Sequence, residues 1–168
     1  MNRPAILLSS VLAMAASVLA TSPLAARDSL GVFSNWAAFR DASPQRCYAI
    51  AKPVRGADTG PFASVSTWPR QSVRGQVHLR LSRAVAASGD VRLVVGNRSF
   101  ALAANGRNAW AQNAQMDARI VAEMRTAARM RVTGRDNAGR RFTDRYDLTG
   151  AATAIDAAVV GCAARTRR

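Results

Sequence analysis

Histidine occurs once in the 168 residues, at His78, and lysine once, at Lys52. Cysteine occurs twice, at Cys47 and Cys162, far apart in the chain. One histidine and two distant cysteines cannot make a zinc site by themselves, so no metal and no cofactor is expected. A Ser/His/Asp arrangement would have to be built on His78, with Ser82 and Asp90 as partners. The Gly-X-Ser-X-Gly turn that presents a nucleophilic serine is absent. No glycine loop has the pattern that cradles a phosphate, and Gly134-Arg135-Asp136-Asn137-Ala138-Gly139 reads as a hairpin. Aromatic residues make up 6% of the chain and are scattered, without the stacking pattern of a single-strand nucleic-acid binder. No catalytic residue is therefore assigned, and nucleic acid is not expected as a partner.

What is present begins with a leader. Met1-Asn2-Arg3 carries one side-chain cation, and Ala5 to Ala20 is almost wholly apolar or small. Small residues then mark cleavage positions near Ala20 or Ala26. This is the pattern of a secretory signal peptide over residues 1–26. The run is about 16 residues and is broken by serines, whereas a spanning helix needs about 20. No later stretch is long and apolar enough, so no stable membrane span is expected. The location implied is periplasmic or secreted. In an oxidising compartment two cysteines without ligand spacing favour one disulfide, Cys47 to Cys162. Closing a loop of roughly 115 residues is worth about 4–5 kcal/mol in the chain-entropy model.

The remaining residues, 27–168, suit one domain with one core. Arginine and lysine number 24 against 10 acids. A GC-rich genome explains an arginine bias, and so does an anionic partner, since the guanidinium fork suits phosphate and carboxylate. Along the chain the arginines are dispersed, and only the tail Arg165-Thr166-Arg167-Arg168 clusters.

Arg27 to Leu30 reads as a frayed start. Gly31 to Phe39 reads as a first strand, with a bulge or turn at Ser34-Asn35. Arg46 to Ala51 returns as its hairpin partner after the turn at Pro44. Pro61 to Pro69 is a third strand. Gln76 to Arg83 is the clearest, with Val77, Leu79 and Leu81 alternating with His78, Arg80 and Ser82. His78 thus falls on the polar side. Val91–Val95 and Ser99–Leu102 form a second hairpin about Gly96-Asn97. Residues 103–113 read as a loop containing Trp110. Met116 to Ala128 reads as a helix on Met116, Ile120, Val121 and Met124. Arg129–Thr133 and Arg141–Tyr146 form a third hairpin, in which Asp144 and Asp147 near Arg145 read as surface ion pairs and Asp144 also shares parity with Phe142 and Tyr146. Thr149 can cap a last helix, Gly150 to about Cys162, with Ile155, Val159 and Cys162 facing inward. The fold class expected is mainly β with two short helices (α+β), an antiparallel β-sandwich or rolled sheet. Trp36 is expected in the core. Trp68 and Trp110 read equally as core or as exposed.

Two stretches bear a family likeness. One is Phe33-Ser34-Asn35-Trp36 followed by Cys47-Tyr48-Ala49-Ile50; the other is the hairpin Met130 to Tyr146 leading into Asp147-Leu148-Thr149-Gly150-Ala151-Ala152-Thr153-Ala154-Ile155. In order and spacing they resemble the invasion-associated locus B family of bacterial envelope proteins. That family has an aromatic residue and a tryptophan, then a Cys-aromatic-x-aliphatic strand, and ends in a strand, a Leu-x-Gly turn and an alanine-rich helix. Its members often carry further cysteines, which this chain lacks, so a bridge to Cys162 is this chain's own variant. The resemblance implies a non-enzymatic periplasmic or secreted protein of a Gram-negative bacterium, and offers no catalytic residues to carry over.

The function expected is therefore an envelope-associated interaction protein. Its partner would be an anionic envelope or cell-surface component, or another protein, with Arg80, Arg83, Trp68 and Trp110 as the interaction surface. Two alternatives stand beside it: a small periplasmic hydrolase using His78, and an inhibitor of an envelope enzyme presenting loops 55–60 and 103–113.

Overall fold

A computed structural model describes residues 27–55, 60–86 and 89–163. Residues 1–26, where a leader is expected, most of loop 55–60 and the basic tail lie outside the described residues. Nine strands form in order: β1 (Arg27–Phe33), β2 (Trp36–Asp41), β3 (Arg46–Ala51), β4 (Phe62–Trp68), β5 (Val73–Val85), β6 (Val91–Val95), β7 (Arg98–Trp110), β8 (Arg129–Arg135) and β9 (Arg141–Asp147). Helix α1 (Ala114–Met124) lies between β7 and β8, and α2 (Ala151–Ala163) follows β9. The strands make one antiparallel sheet in the order β1-β2-β3-β4-β5-β7-β6-β8-β9. The expected β-rich fold with two helices is what forms.

The sheet rolls because β7 serves both halves. Arg98 to Leu102 pair with β6, while Gly106 to Trp110 pair with β5. Gly106 takes φ +57 where the pairing changes, a conformation glycine adopts without Cβ strain. The far end of the sheet then returns to its beginning. The Trp36 indole N–H donates to the Asp147 carbonyl at 2.9 Å, and the Ser82 amide donates to the Asp144 carboxylate at 2.9 Å. Alternating residues of both halves fill one core, including Leu79, Leu81, Leu93, Val132 and Trp36, the last 1% exposed as expected of it.

Cys47 and Cys162 are joined, with Cα atoms 5.7 Å apart. The bridge ties β3 to α2, whose buried stripe is Ala151, Ala154, Ile155, Ala158 and Cys162. Val159, expected to face inward, is 49% exposed. It lies roughly a quarter-turn from the centre of that stripe, at 100° per residue.

Four other boundaries differ from expectation. Residues 31–39 are two strands, β1 and β2, folded at Ser34-Asn35 with Ser34 at φ 52. The stretch expected to fray, Arg27–Leu30, is instead the start of β1, paired with Phe39–Asp41 across the bulge at Ser29/Gly31. Residues 103–110, expected as loop, complete β7: alanines and Asn-Gly have weak strand preference, but from Gly106 on pairing with β5 overrides it. Helix α1 starts two residues early because the Asn113 side chain accepts from the Met116 amide. The Thr149 hydroxyl donates to the Asp147 carboxylate at 2.6 Å, and Gly150, at φ +87, precedes α2.

Candidate functional site

The outer face of β2 to β5 and the end of β7 carries three of the four residues expected to form an interaction surface. Register sets His78 opposite Trp110 and Arg80 opposite Phe62 and Asn108. Trp68 lies on the same face and donates its indole N–H to Gln76 at 3.2 Å. The Arg46 guanidinium lies over Tyr48 at 4.1 Å and over Trp68 at 5.0 Å, a cation–π arrangement that holds both rings. Trp110 is 36% exposed and Trp68 half-buried, so both are surface residues and not core. Arg83 does not join them. Its guanidinium pairs with Asp136 of the β8–β9 loop at 3.3 Å.

His78 is half-buried rather than solvated. Its Nε2 lies 3.1 Å from Asn108 Oδ1 and its ring packs edge-on against Phe62. Burial lowers its pKa, opposed by the Asn108 bond and assisted by Arg80 and Arg46. Ser82 lies four residues further along β5, about 13 Å away at strand spacing, so the two side chains do not meet. Among the described residues no three of His, Cys, Asp and Glu are grouped to hold a metal ion, and no helix is long and apolar enough to cross a membrane.

Asp144 and Asp147 are not surface ion pairs. Asp144 is 4% exposed and bonded to the Ser82 amide. Asp147 accepts both the hydroxyl and the amide of Thr149, and these bonds hold its carboxyl below the usual range.

The second face is one the dispersed arginines did not announce. Along β8 and β9 every other residue is buried: Met130 and Val132 on one strand, Phe142, Asp144 and Tyr146 on the other. The residues between them point out, and they are Arg129, Arg131, Thr133, Arg135, Arg141, Thr143 and Arg145. Arg131 sits directly opposite Arg145, and Arg135 opposite Arg141. Arg92 of β6 joins them beside Thr133. Six arginines thus share one outer sheet face, with Asp147 at one end and the exposed Asp90 in a cleft with Arg92, Arg135 and Arg141 at the other. Among the described residues none of the six makes an ion pair. Most described acids are spent elsewhere: Asp41 on Arg27 and Arg46, Asp28 on Arg40, Asp136 on Arg83 and Arg140, Glu123 on Arg98, Asp156 on Arg125. Asp117 and Asp144 are buried on backbone amides. Like charges directly opposite across a sheet are destabilising, so this face gains from any anion that lies on it. The signal was present in the alternation Arg129-Met130-Arg131-Val132, but only register brings Arg145 and Arg92 to it.

At one end the arginine face borders a cleft of about 670 Å³, lined by Arg129, Arg131 and Arg145 together with Val54, Val94 and Asp147. Val54 reaches it because its amide donates to the Arg145 carbonyl at 2.7 Å. No family model matches the chain, and no curated protein and no solved structure matches it.

Proposed function

We propose that this protein is a non-catalytic binding module, exported to the periplasm or beyond, that attaches to an anionic component of the cell envelope. The observation that carries this reading is the outer face of β6, β8 and β9, where six arginines outnumber the acids at its two ends, Asp147 and Asp90. Two arginine pairs stand directly opposite one another, at a strand spacing of about 4.8 Å, and their repulsion is relieved by a counter-charge from outside. The buried Cys47–Cys162 bridge supports export, because disulfides persist in oxidising compartments. The leader pattern and the resemblance to invasion-associated locus B proteins point the same way.

The test uses purified mature protein and washed envelopes of a Gram-negative cell. Co-sedimentation is expected at low ionic strength, with release by about 0.5 M salt, where screening shortens to a few ångströms. The variant Arg131→Gln/Arg145→Gln is expected to sediment less than the parent at low ionic strength and to be released at lower salt. Retention that neither salt nor this variant alters would remove the charge argument.

A further inference from the structure

We infer that the anionic component is a phosphorylated lipid, and that the cleft between β6, β8, β9 and the Lys52–Val54 segment seats it. This rests on the binding reading above and narrows it. A purely polar polyanion needs cations and hydrogen-bond donors. A single-stranded nucleic acid also needs aromatic platforms, and the residues between these arginines are Val94, Thr133 and Thr143. The cleft offers two chemistries side by side. Arg129, Arg131 and Arg145 supply guanidinium forks, which match phosphate oxygens two at a time. Against them stands Val54, 64% exposed, with Val94 on the sheet beside it.

The apolar strip continues beyond this cleft. A second cleft of about 660 Å³ shares Val54 and Asp147 with the first and is lined further by Val32, which is 73% exposed, and by Pro53 and Ile50. Each volume lies in the range that takes a small organic ligand. An arginine cluster opening onto a strip of exposed aliphatic side chains is complementary to a phosphate headgroup with acyl chain attached. Asp147 is the one acid in the cleft, and its carboxylate is engaged by Thr149.

The experiment measures binding of the full mature chain to four probes: phosphatidylcholine vesicles, vesicles carrying phosphatidylglycerol, a soluble sulfated polysaccharide, and inorganic phosphate. Two variants are compared with the parent. Arg131→Gln/Arg145→Gln removes charge. Val54→Thr/Val94→Thr keeps shape and strand preference but removes apolar character. A basic residue near an anionic bilayer is worth about fivefold in partitioning, so the arginine variant is expected to lose about thirtyfold on phosphatidylglycerol vesicles. The valine variant is expected to lose about tenfold there and to keep its polysaccharide binding. Thermal melts of both variants matching the parent show that folding is not the cause; if Val94→Thr lowers the melt, Val54→Thr alone carries the comparison. If the valine variant binds vesicles as the parent does, or inorganic phosphate at millimolar concentration displaces the protein fully, the lipid assignment is overturned while the envelope-binding reading stands. If neither vesicles nor polysaccharide bind, both readings fall.

Discussion

The bridge between Cys47 and Cys162 permits a quantitative test. It closes a loop of 115 residues, nearly the whole described chain. In the chain-entropy model such a loop removes about 5 kcal/mol of freedom from the unfolded state. The face that α2 buries is otherwise slight: three fully buried alanines, Ala154 among them, and one isoleucine, Ile155. At ~0.8 kcal/mol per buried methyl and 2–3 for isoleucine, that face contributes roughly 5 kcal/mol. The crosslink therefore matches the packing of the helix it holds. In the variant Cys47→Ala/Cys162→Ala both positions stay apolar and buried, so the folded structure keeps its shape. Urea unfolding, followed by far-ultraviolet circular dichroism and by fluorescence of the buried Trp36, is the assay. With a slope of about 2 kcal/mol per molar urea, the midpoint should fall by 2–3 M, and the slope itself should rise because the unfolded chain is freer to expand. Both probes should move together. A midpoint shift below about 0.5 M would refute the reasoning, and two reactive thiols in the untreated parent would remove its premise.

Three further outcomes are expected. The Tyr146 hydroxyl is buried without a hydrogen-bond partner among the described residues, and burial first, then the Asp144 charge, raises its pKa; Tyr146→Phe should therefore match the parent or gain about 1 kcal/mol in thermal or urea unfolding, and a clear loss would reveal a partner. Asp117 accepts the Val77 amide at 2.8 Å in a site where burial raises its carboxyl pKa against the pull of that bond. A folded pKa above the unfolded one means its contribution is largest in acid and is lost as pH rises through the raised value; Asp117→Asn should flatten that part of a stability profile from pH 3 to 7, whereas Asp117→Ala orphans the amide and should cost about 1–3 kcal/mol across it. Gly150 stands at φ +87 where a Cβ would overlap the Phe33 carbonyl, so Gly150→Ala should cost about 2 kcal/mol or more, read as a lowered melting temperature.

Much of the fold was legible in short-range pattern. The alternation through Val77, Leu79 and Leu81 named β5 and its buried face, and two cysteines without ligand spacing named their own bridge. The errors fell where pattern is weak. The stretch Ala103-Ala104-Asn105-Gly106 has neither apolar alternation nor strand preference, and β7 from Gly106 to Trp110 is held by its neighbour β5, which no local window contains. In α2, alanines pack inward while Val159 and Val160 face out, because the Cys162 bridge decides which side of the helix meets the sheet.

By itself, the order of residues determined composition, the single covalent staple and the strand-rich class, since each depends on nearest neighbours or on counting. Which charges meet was decided by tertiary structure alone. Arg92, Arg131 and Arg145 are far apart in the chain and converge only through the antiparallel registers of β6, β8 and β9. Trp68, Arg80 and Trp110 gather on the opposite half of the sheet by the same means, while Arg83 is diverted to Asp136. Electrostatic interaction acts through space and falls off within about 10 Å in physiological salt, so a charge face exists only once folding has closed those distances.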